Sequence, residues 1–300
     1  MTGCDPIILL GAGRSGTTLL YKLLSAHPDI GFLSNYQNRW PGWPVTAATH
    51  RLLKFCPKLV DFAWFKKGGG AYFNERRQWL QSLVPTPAEA ESVYMECGLP
   101  LNPEPAFVPD DRLIGCLREK FEKVRVYSSA SKLLTKRTAN NRRIKELKSI
   151  FPEARFVHLV RDGRAVAYSL PRVSWWDSHI LFWVGQCPRA MIQKGADPLD
   201  LAARNWAEEM RSLEKGLSLI EPDNLLEVRY ENLLAKPVDE IQRILEFMGL
   251  GLCLPKTLSS LIDSLGLSPR EESWKHAWTE EEKRHVVAIQ SEQLRRWNYI

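Results

Sequence analysis

The sequence has no apolar run near the roughly 18 residues of a membrane-spanning helix, no internal repeat, no long block of like charge and no closely spaced pair of cysteines. The first absence excludes a helical membrane protein. The missing charge block leaves nothing that favours a nucleic-acid surface. The six cysteines, at 4, 56, 97, 116, 187 and 253, are scattered. Their spacing excludes the usual zinc and dithiol patterns and argues against a disulfide scaffold, so a reducing cytoplasm is the expected setting. The opening Met1-Thr2-Gly3-Cys4-Asp5-Pro6 has neither a basic n-region nor an apolar h-region, and no secretory leader is expected from it.

What is present is ordinary for a globular chain. Hydrophobic residues make up 44% and charged residues 25% of 300, which excludes disordered, collagen-like and coiled-coil classes. The excess of 41 basic over 35 acidic residues is a mild +6, suited to a small polyanionic ligand. Tryptophan is plentiful, with 11 residues. Trp40 and Trp43, Trp64, Trp79, and then Trp175, Trp176 and Trp183 cluster along the chain; core and surface packing accounts for most of them, and the functional reading is an aromatic-walled pocket.

Apolar runs that end in turns predict strands at 6–11, 131–135, 155–160 and 225–230. Helical spacing predicts helices at 17–26, 112–126, 140–150, 199–220, 238–248 and 280–297, with another beginning at 164. Residues 34–110 are rich in Pro, Trp and Gly and carry short helices near 46–55 and 75–83. Alternating strands and helices imply an α/β fold: a three-layer parallel sheet with helices on both faces. Residues 1–300 form a single domain, with 34–110 and 172–198 as inserted segments. Ligands of such sheets bind at the carboxyl ends of the strands.

Two motifs fall at those ends. Gly11-Ala12-Gly13-Arg14-Ser15-Gly16-Thr17-Thr18 joins the first strand to the first helix, with four residues between Gly11 and Gly16 as in a Walker A loop. Such a loop turns backbone N–H groups onto a phosphate at a helix N-terminus. The Walker lysine position holds Thr17, and Arg14 lies inside the loop instead. In the second motif, Val160-Arg161-Asp162-Gly163-Arg164 leads to Ser169, so that a guanidinium fork and a hydroxyl can meet on one phosphate. The plain alternative is an arginine that neutralises a neighbouring acid such as Asp162.

Arg14-Ser15-Gly16-Thr17-Thr18 resembles the 5′-phosphosulfate loop of sulfotransferases that use PAPS, 3′-phosphoadenosine 5′-phosphosulfate. The segment from Lys136 to Ser169 resembles the tyrosylprotein and bacterial branch of that family. The resemblance implies a P-loop NTPase-like fold and a loop Gly13, Arg14, Ser15, Gly16, Thr17 and Thr18 that binds PAPS. It implies Arg161 and Ser169 on the 3′-phosphate, Tyr230 beside adenine, and Arg14 and Lys136 in catalysis. No metal is implied. A basic residue near the C-terminus, from among Arg270, Lys275 and Lys283, completes the site. The acceptor carries a hydroxyl or amine on an apolar or aromatic body and is bound by the two inserted segments. A glutamate that serves as base in the tyrosylprotein branch falls here on Ser34-Asn35, neither of which takes a proton at neutral pH. Either another group serves, with His50, Glu96, Asp177 and His179 as candidates, or transfer proceeds with little early deprotonation, or the chain binds nucleotide without catalysis. A P-loop kinase that uses ATP and Mg²⁺ and a nucleotide-sensing scaffold are the competing functions.

Overall fold

The computed structural model of the chain describes residues 5–65, 83–101, 107–251, 254–269 and 272–300. Strand β1, Ile7–Leu10, is buried along its whole length. Its side chains point alternately to two sides. Ile7 and Leu9 pack with Leu20, Leu24 and Ile244 on one face. Ile8 and Leu10 pack with Phe121, Trp206 and Leu213 on the other. Two separate apolar clusters on the faces of one sheet are the three-layer arrangement expected from the sequence.

The sheet has five parallel strands in the order β2-β3-β1-β4-β5. β3 is Lys132–Lys136, β4 is Arg155–Val160 and β5 is Leu225–Arg229. The edge strand β2, Ile30–Phe32, was not expected. It has three residues, too few for a periodic signal, and its partner β3 holds it in place. Tyr230 does not end β5 but opens the helix Tyr230–Ala235. Lys136 is the last residue of β3 rather than the first of a loop. The helix expected at 140–150 is a 3₁₀ turn, Thr138–Arg142, followed by the α-helix Ile144–Ile150. The one expected at 75–83 lies almost wholly outside the described residues.

Two further expectations need correction. Cys97 and Cys116 form a disulfide, with Cα atoms 5.5 Å apart. It ties the end of the helix Glu91–Glu96 to the helix Asp111–Tyr127. A spacing of 19 residues is invisible to a search for close pairs, and the packing of the inserted segment brings the two together. Trp176 is 1% exposed and belongs to the core rather than to a pocket wall, whereas its neighbour Trp175 is 44% exposed. Trp64 is also a core residue, and its indole N–H donates to the Pro85 carbonyl at 2.9 Å.

The first inserted segment folds back onto the sheet edge. Asn35 N–H donates to the Thr86 carbonyl at 3.0 Å, and Ala88 N–H to the Leu33 carbonyl at 2.9 Å. Ser34 and Pro87 form an antiparallel bridge. Residues 84–90 thus run beside the chain as it leaves β2. Among the described residues no helix is long and apolar enough to cross a membrane.

Candidate functional site

The carboxyl end of β1 runs straight into the phosphate loop. Gly16, with φ +90°, caps the helix Thr17–Ser25 in the left-handed region that favours glycine. It has a second constraint: a β-carbon there would lie 2.4 Å from the Tyr230 ring. A β-carbon on Gly13 would meet nothing within 4 Å, so the loop's backbone borders open space there. Arg14 takes φ +68°, a conformation that costs a non-glycine residue energy and turns the loop. The Ser15 hydroxyl is buried with no hydrogen-bond partner in the protein. Asn141, just beyond β3, holds the start of the loop: Gly11 N–H donates to its side-chain oxygen at 3.1 Å, and its amide donates to the Gly11 carbonyl at 3.0 Å.

The second motif arrives from β4. Arg161 Nη1 donates to the Arg14 carbonyl at 2.9 Å, and its guanidinium lies 4.4 Å from the centre of the Tyr230 ring. Arg14 Nε donates to the Ser169 hydroxyl at 3.0 Å. Residues spaced along more than 200 positions of the chain therefore meet in one place. Arg161 does not neutralise Asp162. That carboxylate is held by Arg164, at 2.7 Å from Nη2, and it caps the helix Gly163–Ser169 through the Arg164 N–H at 2.9 Å. Arg161 forms no ion pair among the described residues. A guanidinium exposed beside a helix N-terminus and a glycine loop is suited to an anion.

Lys136 ends β3 at the same edge, and its ammonium is paired with Glu89. Thr138 donates to the same carboxylate through its N–H at 2.9 Å and its hydroxyl at 3.0 Å. Burial opposes charge on Glu89, but Lys136 and the Thr138 donors outweigh it and hold the carboxyl below its ordinary range. Arg137, the next residue, is fully buried and grips Glu91 with its fork, which fixes the segment that carries Glu89. No sequence reading singled out Glu89. It lies two residues beyond Pro87, which bridges Ser34, and its partners are 47 and 49 positions away.

The four acid–base candidates separate. His50 is buried beside Phe32, with burial pushing its imidazole down to about 3. Glu96 is paired with Lys120 at 2.9 Å. Asp177 is exposed. His179 is held below its usual pKa by burial and by the Arg142 cation, against the pull of Glu89, and its ring packs edge-on to Trp175 at 5.4 Å. Phe182 lies under the Arg142 guanidinium at 4.3 Å. The first inserted segment thus reaches the end of β3 through Glu89, and the second reaches the 3₁₀ turn that follows it. Lys275 and Lys283 are paired with Glu272 and Glu280 on their own segments, and Arg270 lies outside the described residues. Among the described residues no three metal-ligating side chains come together as a metal site.

A family model described as "Sulfotransferase family" matches residues 6–252. The chain belongs to the sulfotransferase family. It is 27% identical over 267 residues to omega-hydroxy-beta-dihydromenaquinone-9 sulfotransferase Stf3 of Mycobacterium bovis and of Mycobacterium tuberculosis, which covers 82% of this chain and 63% of theirs. The chain spans less than two thirds of the length of these curated relatives. Among solved structures, sulfotransferase STF9 from Mycobacterium avium superposes with a TM-score of 0.56 at 19% identity, over 98% of this chain and 77% of that one. Sulfotransferase STF1 from Mycobacterium tuberculosis gives 0.51 at 16% identity, over 96% and 77%. These likenesses are of fold. In this sulfotransferase-family chain the loop, Arg161 and Ser169 all lie inside the matched residues.

Proposed function

We propose that this chain moves the sulfuryl group of PAPS to a hydroxyl or amine of an acceptor with an apolar body, leaving 3′-phosphoadenosine 5′-phosphate. The observation that carries the reading is the meeting of Arg14, Arg161, Ser169 and Tyr230 at a phosphate loop without the Walker lysine. The residues fit the donor: the open backbone at Gly13 and the unpartnered Ser15 hydroxyl would take the 5′ end, with Gly16, Thr17 and Thr18 at the helix start. Arg161 and Ser169 would hold the 3′-phosphate, with Tyr230 beside the base. PAPS supplies an activated sulfuryl group on a good leaving group.

Arg14 and Lys136 place positive charge where it would grow negative during transfer. Glu89 accepts the acceptor's proton. It is ionised at neutral pH because Lys136 and Thr138 hold it so, and it would serve in place of the glutamate that the tyrosylprotein branch has near Ser34-Asn35. An apolar acceptor is supported by the exposed Trp40, Trp43 and Trp175 on the inserted segments. The curated relatives carry an omega-hydroxylated quinone in their name. A terminal hydroxyl on a long apolar molecule is accordingly the first class to try.

The test is a thermal-shift series with 3′-phosphoadenosine 5′-phosphate, ADP and ATP–Mg²⁺, on wild type and Arg161→Ala. Wild type should respond most to the first without metal. At about 100 times its Kd a ligand adds roughly 2.7 kcal/mol, a shift of several degrees. Arg161→Ala should lose that preference, by roughly 10- to 150-fold in affinity. A larger, Mg²⁺-dependent response to ATP would make the chain a kinase.

A further inference from the structure

At the opposite end of the sheet from the phosphate loop there is a second cavity, of about 250 Å³. It lies against the edge strand β2. Ile30 and Phe32 line it, at the level of Lys132 and Leu134 on β3, whereas Lys136 lies further on at the carboxyl end. The last turn of the helix Thr17–Ser25 forms part of the wall through Ser25. That helix separates the cavity from the loop at its other end by about 12 Å, from the rise per residue.

The walls mix apolar side chains, Phe32, Leu53, Val60 and Leu261 among them, with polar ones that include His27, Ser128 and Ser264. Two of the polar side chains are buried without partners. His50 is 3% exposed and stacks on Phe32 at 4.1 Å between ring centres, and neither of its ring nitrogens has a partner. Ser25 is 5% exposed, and its hydroxyl has none either. Buried polar atoms without partners cost about 1–3 kcal/mol each, so native chains keep few of them. Here two such groups line one cavity, and neither is used by the transfer site.

We propose that this cavity is a binding site for a small uncharged molecule with a ring-sized apolar body and one hydroxyl group. A hydroxyl both donates and accepts, which is what a neutral imidazole and a serine require. A ring fits, since a dry cavity of about 150 Å³ already holds benzene. An anion does not suit the site. Burial keeps His50 neutral, Lys54 is spent on the Ser129 carbonyl at 2.7 Å, and the rim charges Lys58 and Asp61 are of opposite sign. The assignment is independent of the sulfuryl-transfer reading.

The probe is phenol, with toluene as the same-shaped molecule that lacks the hydroxyl. In the intact wild-type chain, phenol at millimolar concentration should shift the His50 ring resonances saturably. It should bind about tenfold more tightly than toluene, as one satisfied pair predicts. Saturating 3′-phosphoadenosine 5′-phosphate should leave that response in place. Val60→Phe, which fills the cavity, should abolish it for both probes. His50→Phe, read by thermal shift, should remove the preference for phenol and retain toluene binding. Any of four results overturns the proposal: no saturable response at His50, equal affinity for the two probes, an undiminished phenol response in Val60→Phe, or loss of the response under the nucleotide. The wild-type resonance decides the matter even where a variant does not fold.

Discussion

A β-carbon at Gly16 would need both a left-handed backbone and space that the Tyr230 ring fills at 2.4 Å. Gly16→Ala should therefore cost on the order of 1–3 kcal/mol of stability and displace Tyr230 from Arg161. Urea midpoints would report the first effect, and the loss of stabilisation by 3′-phosphoadenosine 5′-phosphate the second. Lys136 and Glu89 call for a different measurement. Lys136→Ala and Glu89→Gln should each lower kcat, by roughly 10²–10⁴ for removal of the base, with nucleotide affinity nearly unchanged. Equal losses of affinity and turnover would assign them to binding. Because the Glu89 carboxyl is held low, kcat in wild type should fall only on the acid side of the ordinary carboxylate range. Glu89→Gln should abolish that acid limb. Arg14, Arg161 and Ser169 could be read from the sequence because each lies in a short pattern tied to a strand end. Glu89 could not, since its meaning comes from Lys136 and Thr138 across the sheet edge. Nor did the pairing of Trp175 with Trp176 say which ring turns inward.

Between β4, β5 and the helix Glu280–Arg296, one carboxylate joins three elements. Glu227 accepts from His158 at 3.3 Å and from the Trp297 indole at 3.1 Å. The His158 bond, helped by Trp297 and opposed by burial, lowers its pKa from 4.5 to about 2. A carboxyl lowered by folding stabilises the native state above its unfolded pKa and loses that contribution as the pH falls through the folded value. Acid unfolding should accordingly steepen between about 4.5 and about 2, and Glu227→Gln should flatten the curve there, with its loss of stability seen at neutral pH and vanishing below about 2. The disulfide makes another element-scale claim. Cys116→Ser should cost about 3 kcal/mol for a loop of this size, measured as a shift in the denaturation midpoint that a reductant reproduces in wild type. Strands β1, β4 and β5 were legible as apolar runs. β2 was not, because its three residues carry no period and become a strand only through pairing with β3.

Across the whole molecule, alternation of apolar runs with helical patterns was enough to place the phosphate loop, Arg161 and Tyr230 at one edge of a parallel sheet, because topology alone puts successive strand ends there. The inserted segments resisted such reading. Their positions depend on contacts over long spans: residues 84–90 on the β2 exit, Arg137 on Glu91, and Phe182 beneath Arg142. The proposed nucleotide side of the site is assembled from local motifs, and the proposed acceptor side from tertiary packing.

The link between Cys97 and Cys116 has a further consequence for how the chain comes apart. Val108, between them, is 76% exposed, and an accessible loop is where proteases cut first. A nick there would leave the halves joined. On a non-reducing gel the clipped protein should run as one full-length band, and only with dithiothreitol should it separate into an amino-terminal piece bearing the phosphate loop and a carboxyl-terminal piece bearing Lys136 and Arg161.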